Sequence, residues 1–231
     1  MINNKIITFL RNRKNNRTLK KFYAQLINKN DLCFDIGANI GQKSRLFLSL
    51  NAKVVAFEPQ TKCVKHLDKI NHPNFEFYPF GVGGKNQKKQ LHLANHIEVA
   101  TFSNKMIDFY TTNSLNWNNI EEVQVKKLDT LIKEFGLPNF CKIDTEGYEL
   151  DIISNLSYTI PIIEFEFNEA FIEDTLKIIS ILDKENTAFN YILNENPKFI
   201  LENWVEADKM RLIINEMSKE KLHGNIFVKN S

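Results

Sequence analysis

With 231 residues, 43% of them hydrophobic and 25% charged, the chain has enough material for one α/β domain with a full core and too little for two. No apolar run approaches the length of a membrane-spanning helix, and no secretory leader is read. The formal net charge of +2 hides an asymmetry: residues 1–30 carry eight Lys or Arg and no acid, leaving 22 basic against 28 acidic residues in the rest.

Within that basic stretch Ile6, Ile7, Phe9 and Leu10, then Leu19, Phe22, Tyr23, Leu26 and Ile27, recur at helical spacing. They predict two short amphipathic helices joined by Arg11–Arg17, a basic N-terminal extension over 1–30. A lid over a ligand crevice, a solvated basic cap, or a peripheral contact with anionic membrane or polyanionic glycan all fit it, the cap or lid best. An acidic body argues against nucleic acid as a partner.

The next segment, Leu32-Cys33-Phe34-Asp35-Ile36-Gly37-Ala38-Asn39-Ile40-Gly41, reads as a strand (32–36) turning through two glycines into a helix (41–50). Glycines there let the main chain approach a ligand, and a helix N-terminus offers unpaired N–H groups. A dinucleotide loop would place glycine where Asp35 stands, because pyrophosphate needs a wall that does not repel it. A carboxylate instead favours a cofactor with cationic or amine-bearing parts, such as the sulfonium and ammonium of S-adenosylmethionine. Asp35, Gly37, Asn39 and Gly41 are therefore assigned to a cofactor; a plain tight turn is the other reading.

Lys53-Val54-Val55-Ala56-Phe57 reads as a second buried strand closing on Glu58, placed about 20 residues past the glycine turn to accept hydrogen bonds from ribose hydroxyls. A helix (61–70) and a third strand (75–80) follow, running into Gly81-Val82-Gly83-Gly84. Main chain at Gly81 and Val82 suits the side of an adenine ring, and a flexible turn explains those glycines equally well. Residues 85–126 are polar and asparagine-rich, too long for an ordinary connection, with Phe102, Phe109, Tyr110 and Trp117 dispersed through them. Either an acceptor-binding flap or a disordered loop fits, with a strand resuming at Val123–Lys126 and a helix from about 129.

Phe140-Cys141-Lys142-Ile143-Asp144 is a fourth strand leading into Thr145-Glu146-Gly147-Tyr148-Glu149, so acids gather where a parallel strand meets its helix. Ligand crevices of open α/β sheets lie outside those strand ends, although Glu146 and Glu149 also suit a helix N-terminus as dipole partners. A fifth strand over 160–168 puts Glu164, Glu166 and Asn168 on one face, as either the crevice end of a central strand or an exposed edge strand. Beyond it come a helix (170–185), a strand pair around Asn194-Glu195-Asn196-Pro197, a helix (206–220) and a last strand (225–229). Such alternation predicts an α/β fold with a mostly parallel central sheet and helices on both faces.

The blocks Phe34–Gly41, Ala56-Phe57-Glu58-Pro59, Leu128-Asp129-Thr130-Leu131, Lys142–Glu149 and Gly224-Asn225-Ile226-Phe227-Val228 together resemble the FkbM-type methyltransferases. The resemblance implies a Rossmann-like methyltransferase domain over 31–231, S-adenosylmethionine as cofactor, and methyl transfer to a hydroxyl of a sugar, glycan or other small-molecule acceptor. It departs at three points. No acid follows the third strand to meet an adenine amine, and Asn225 and Lys229 stand where an acid and an arginine are expected.

A sugar hydroxyl needs a general base, and Asp144, Glu146 and Glu166 crowd the predicted crevice; such clustered acids raise one another's pKa or hold a metal that orients vicinal hydroxyls. The three cysteines, Cys33, Cys63 and Cys141, have no metal-ligand spacing, and an odd count favours a reducing cytoplasm over a disulfide framework. The five histidines form no metal motif. An NAD-dependent oxidoreductase and a non-catalytic methyltransferase-like binding module are the rival functions. The acceptor and the oligomeric state are not legible.

Overall fold

The computed structural model describes residues 17–95, 99–112, 115–194, 196–217 and 223–230. In chain order the elements are helix α1 (17–23), strand β1 (Leu32–Ile36), α2 (Gln42–Ser49), β2 (Lys53–Phe57), α3 (Thr61–Leu67), β3 (Phe75–Tyr78) and β4 (Gly81–Gly83). Then come β5 (Gln87–Leu93), β6 (Ala100–Thr101), α4 (Asn104–Tyr110), β7 (Asn119–Lys127), α5 (Leu128–Phe135), β8 (Phe140–Ile143) and α6 (Glu149–Ser154). The chain closes with β9 (Ile162–Phe167), a 3-10 turn (Glu169–Phe171), α7 (Ile172–Leu182), β10 (Thr187–Leu193), α8 (Ala207–Met217) and β11 (Gly224–Asn230).

Seven strands form the main sheet in the order β10-β11-β9-β8-β1-β2-β3. The pairs from β9 through β3 are parallel, and β11 inserts antiparallel between β9 and β10. Both faces of the central strands are buried, which is why β1 and β8 read as nearly continuous apolar runs. Phe34, Ile36, Cys141, Ile143 and Phe165 face α5, α6, α7 and α8, whose Leu131, Ile152, Ile179 and Ile214 complete the larger core. On the opposite face Cys33, Val54, Phe140 and Phe227 pack under α1 and α2 through Phe22, Tyr23 and Phe47.

That packing revises the expectation for the basic extension. Its first predicted helix and Arg11–Lys14 lie outside the described residues, whereas its second half is core: Tyr23 is fully buried among Phe47, Phe140 and Phe227. The apolar stripe of α1 covers the sheet, so over 17–27 neither a solvated cap nor a lid describes it.

The polar stretch after β4 is ordered in its described part. β5 and β7 pair antiparallel from Gln87↔Val125 to Leu93↔Asn119, β4 and β6 flank them, and Ser103 caps α4 by accepting from the Met106 N–H at 3.3 Å. Leu91, Leu93, Phe102 and Val125 form a small core of their own, which overturns the disordered-loop reading. The expected third strand, 75–80, ends at Tyr78, since Pro79 has no N–H for a ladder, and the glycine run read as a possible turn is instead β4, which joins the second sheet. The strand pair expected around Asn194 is not a hairpin either. Beyond Leu193 the chain turns at Asn194 (φ 50°) and returns along β10 through single contacts, Ile200 N–H donating to the Tyr191 carbonyl at 3.0 Å, the Asn190 side chain bonding Leu201, and the Phe189–Val205 bridge, while β10 takes its ladder from β11. The fifth strand, β9, is interior and not an edge. Among the described residues no helix is long and apolar enough to cross a membrane.

Candidate active site

On the face shared with α1 and α2, side chains change from apolar to charged in steps of two residues along neighbouring strands. Cys33, Phe140 and Ile162 are in register and apolar; one step on, Asp35, Lys142 and Glu164 are in register and charged. The next step carries the chain past the strand tips to Gly37, Asp144 and Glu166, where a cleft of about 400 Å³ opens. Strand register therefore delivers the polar groups to one place.

Nine of the ten residues assigned from sequence line this cleft: Asp35, Gly37, Asn39, Glu58, Gly81, Val82, Asp144, Glu146 and Glu166. Gly41 does not. It caps α2 with φ 80°, and a Cβ there would meet Ile70 and Leu67 at 2.7 and 2.8 Å, so its role is to let the helix start against α3. Gly37 (φ 75°) is needed at the cleft itself, since a Cβ would lie 1.7 Å from the Asp144 carbonyl oxygen.

Asp35 is fully buried, and Ser44 Oγ donates to its Oδ2 at 2.6 Å. Its Oδ1 is buried without a partner. Burial pushes this carboxyl up, against the pull of Lys142 and the Ser44 hydroxyl. Glu58 accepts from the Asn39 and Gln60 backbone N–H groups, both at 2.8 Å, which fixes it at the tip of β2. Burial nonetheless raises its pKa to about 7.

Lys142 is 2% exposed and donates to Asp144 Oδ2 at 2.7 Å. Burial alone would pull its pKa down, but Asp144, Asp35 and Glu164 around it hold the ammonium charged above the ordinary lysine range. Glu164, which sequence placed on the crevice face, lies deeper: Tyr23 donates to its two oxygens at 2.9 and 3.1 Å and Asn225 at 2.7 Å. Asn225, standing where an acid was expected, thus supplies a donor that an acid would lack. Glu149 is also structural, its carboxylate accepting from Thr145 N and Oγ1 and from Gly147 N at 2.7, 2.9 and 3.1 Å. It ties down the turn in which Glu146 sits at φ 56°.

Asp144, Glu146 and Glu166 each present a carboxylate oxygen, all within 4.8 Å of one another. Glu146 is pushed up to about 8 by burial and by the charges of Asp144 and Glu149, and Glu166 rises well above the carboxylate range for the same reasons with Glu146 added. Sequence reasoning missed Ser44, Tyr23 and the main-chain donors on Glu58. Ser44 had a signal, since it stands three residues before the inward-facing Phe47; Tyr23 had none, because its partner is 141 residues away.

The cleft fits a nucleoside cofactor with a cationic part. The buried, unpartnered Asp35 Oδ1 calls for a donor from a ligand, Glu58 keeps acceptor capacity at the neighbouring strand tip, and Leu91, Val99 and Phe102 supply an apolar wall. Among solved structures, the chain is similar to a precorrin-6y C5,15-methyltransferase from Geobacter metallireducens GS-15 (12% identity over 94% of this chain and 86% of that one, TM-score 0.47). It is also similar to an rRNA methylase from Streptococcus thermophilus (11%, 91% and 93%, TM-score 0.46) and to the plantazolicin methyltransferase BpumL, solved with SAH (11%, 99% and 87%, TM-score 0.45). No curated protein matches the chain significantly. The model of the methyltransferase FkbM domain matches residues 35–217, the span that carries both strand-tip acids, the glycine turn and the acidic cluster. The chain belongs to the FkbM methyltransferase family, and S-adenosylmethionine is its cofactor.

Proposed function

We propose that the enzyme transfers a methyl group to a hydroxyl oxygen of a sugar or related polyol, with Glu146, Glu166 and Asp144 as its acid–base cluster. The observation that carries this reading is the convergence of three carboxylates at the cofactor cleft, two of them, Glu146 and Glu166, with raised proton affinity. A hydroxyl is a weak nucleophile at neutral pH and must lose its proton as it reacts, which a carboxylate with a pKa near the working pH does well.

Bound S-adenosylmethionine supplies a methyl group already activated by its sulfonium. The chain's own residues then have three tasks. Asp35 and Glu58, at adjacent strand tips, hold the cofactor's cationic and ribose portions, while Gly37, Asn39, Gly81 and Val82 line the cleft beside it. Lys142 fixes Asp144 at 2.7 Å and offsets the cluster's negative charge. Glu146 takes the acceptor's hydroxyl proton, with Glu166 beside it to share the charge.

The reading is tested by incubating the protein with methyl-labelled S-adenosylmethionine and cell-surface glycans, then locating the label by mass spectrometry. A sugar methyl ether formed by the wild type and lost in Glu146→Gln is the expected product. Label on nitrogen, carbon or nucleic acid would contradict it.

A further inference from the structure

A second cavity, of about 300 Å³, adjoins the cofactor cleft and shares Glu146 and Glu166 with it as lining residues. Its other lining residues include Tyr110 from α4, Asn168 and Glu169 from the 3-10 turn after β9, and His223 ahead of β11. These come from three separate parts of the chain, and α4 belongs to the stretch inserted between β4 and β7. The cofactor assignment uses none of the four.

Asn168 is 7% exposed. Its Oδ1 accepts from the Ala170 N–H at 3.1 Å, which starts the 3-10 turn, and its Nδ2 makes no hydrogen bond among the described residues. An amide donor without a protein partner, on a largely buried residue that lines a cavity, is placed to meet an acceptor from a ligand. The Tyr110 hydroxyl, pushed up to about 12 by burial and then by Glu169, Glu166 and Glu146, is likewise a donor surrounded by carboxylates. The Glu146, Glu166 and Glu169 carboxylates accept no hydrogen bond from the described residues. Donors and acceptors thus line one small space. A hydroxyl, which gives one hydrogen bond and takes two, satisfies both kinds at once, whereas a carboxylate or phosphate would face three acids.

We infer that this second cavity is the acceptor subsite, and that it selects an uncharged polyhydroxylated ring, presenting one hydroxyl to Glu146 and Glu166 while Asn168, Tyr110 and Glu169 hold its neighbours. The inference rests on the hydroxyl-methylation reading above and narrows it: acceptors bearing a uronate, sialate, sulfate or phosphate on the reacting ring are rejected.

The test is a glycan array carrying neutral hexose and 6-deoxyhexose glycans beside uronate-, sialate- and sulfate-bearing ones, probed with the full chain in the presence of S-adenosylhomocysteine. Retention on neutral glycans at least tenfold above acidic ones is expected. Asn168→Ala and Tyr110→Phe should each lower that retention tenfold or more while calorimetric S-adenosylhomocysteine affinity stays within twofold of wild type, which also shows that the variants fold. Glu169→Gln should narrow the discrimination against acidic glycans. Retention of acidic glycans equal to neutral ones, wild-type retention by both Asn168→Ala and Tyr110→Phe, or no retention on any glycan would overturn the inference. If instead a sugar is methylated but with unchanged KM in both variants, the subsite fails and hydroxyl methylation stands. If S-adenosylhomocysteine binds and no saccharide is ever methylated, it is the broader reading that fails.

Discussion

Lys142 Nζ lies 2.7 Å from Asp144 Oδ2, two residues along the same chain, with the lysine buried and the acid at the mouth of the cleft. Asp35 and Glu164 stand in register on either side of that lysine. One ammonium therefore serves three carboxylates, and together they more than offset its desolvation, Asp144 foremost.

Replacing it shows how much depends on it. Lys142→Met keeps the volume of the stem but takes the ion pair from Asp144 and leaves Asp35 and Glu164 with Lys43 as their neighbouring cation, at a cost of about 3–5 kcal/mol. Denaturant unfolding should show the midpoint falling accordingly, with part of the loss recovered in Lys142→Met/Asp35→Asn. A loss below about 1 kcal/mol would mean the row is not coupled.

The acid–base assignment fixes the direction of a pH profile. Glu146 must be ionised to accept a proton, and its pKa is raised to about 8, so at neutral pH most of it is already protonated. The rate under saturating cofactor and acceptor should therefore climb about tenfold per pH unit on the acid side and level off above about pH 8. Glu146→Gln should flatten that limb and lower kcat by roughly 10²–10⁴. A wild-type profile that levels off near the ordinary carboxylate pKa would assign the proton to another group.

Lys142 also bears on metal assistance. A cation already sits on Asp144, so the cluster of Asp144, Glu146 and Glu166 has part of its charge neutralised without an ion. Turnover of protein treated with a chelator should equal that of untreated protein. Loss of activity restored by magnesium or manganese would replace the base reading with a metal-assisted one.

Gly37 and Gly136 separate backbone strain from close approach. Both have positive φ, but a Cβ at Gly37 would meet the Asp144 carbonyl at 1.7 Å, whereas at Gly136 the nearest atom is 3.6 Å away. Gly136→Ala should cost about 1–3 kcal/mol of stability and leave cofactor affinity alone. Gly37→Ala should cost roughly 3 kcal/mol or more and weaken cofactor binding as well, because the β1 and β8 ends must part. Equal effects of the two on binding, measured by calorimetry, would contradict the account.

The central strands and the cleft were legible because both follow from short-range patterns. Apolar runs ending in Asp35, Glu58 and Asp144 mark where parallel strands stop, and period-two alternation puts Glu164 and Glu166 on the face that holds them. What was hidden depends on long-range partners. Nothing near Tyr23 announces Glu164, so a stripe that buries itself on the sheet reads as a basic amphipathic cap. The asparagine-rich stretch reads as loop, although Leu91, Leu93, Phe102 and Val125 give it a core only once β5 and β7 are paired. Glu164 looked like a crevice residue for a similar reason: alternation reports the face of a strand, not the depth along it.

The claim on which the account depends is that the Asp35 carboxylate, with its unpartnered buried oxygen, binds the cationic part of S-adenosylmethionine. Isothermal titration of the cofactor into wild type and Asp35→Asn measures it directly, the asparagine keeping the shape and the Ser44 contact. One cofactor per wild-type chain is predicted, with affinity lower by roughly 10–100-fold in the variant, the equivalent of about 1.5–3 kcal/mol for a charge-assisted hydrogen bond. No binding to the wild type, or equal affinity in the two proteins, would contradict it.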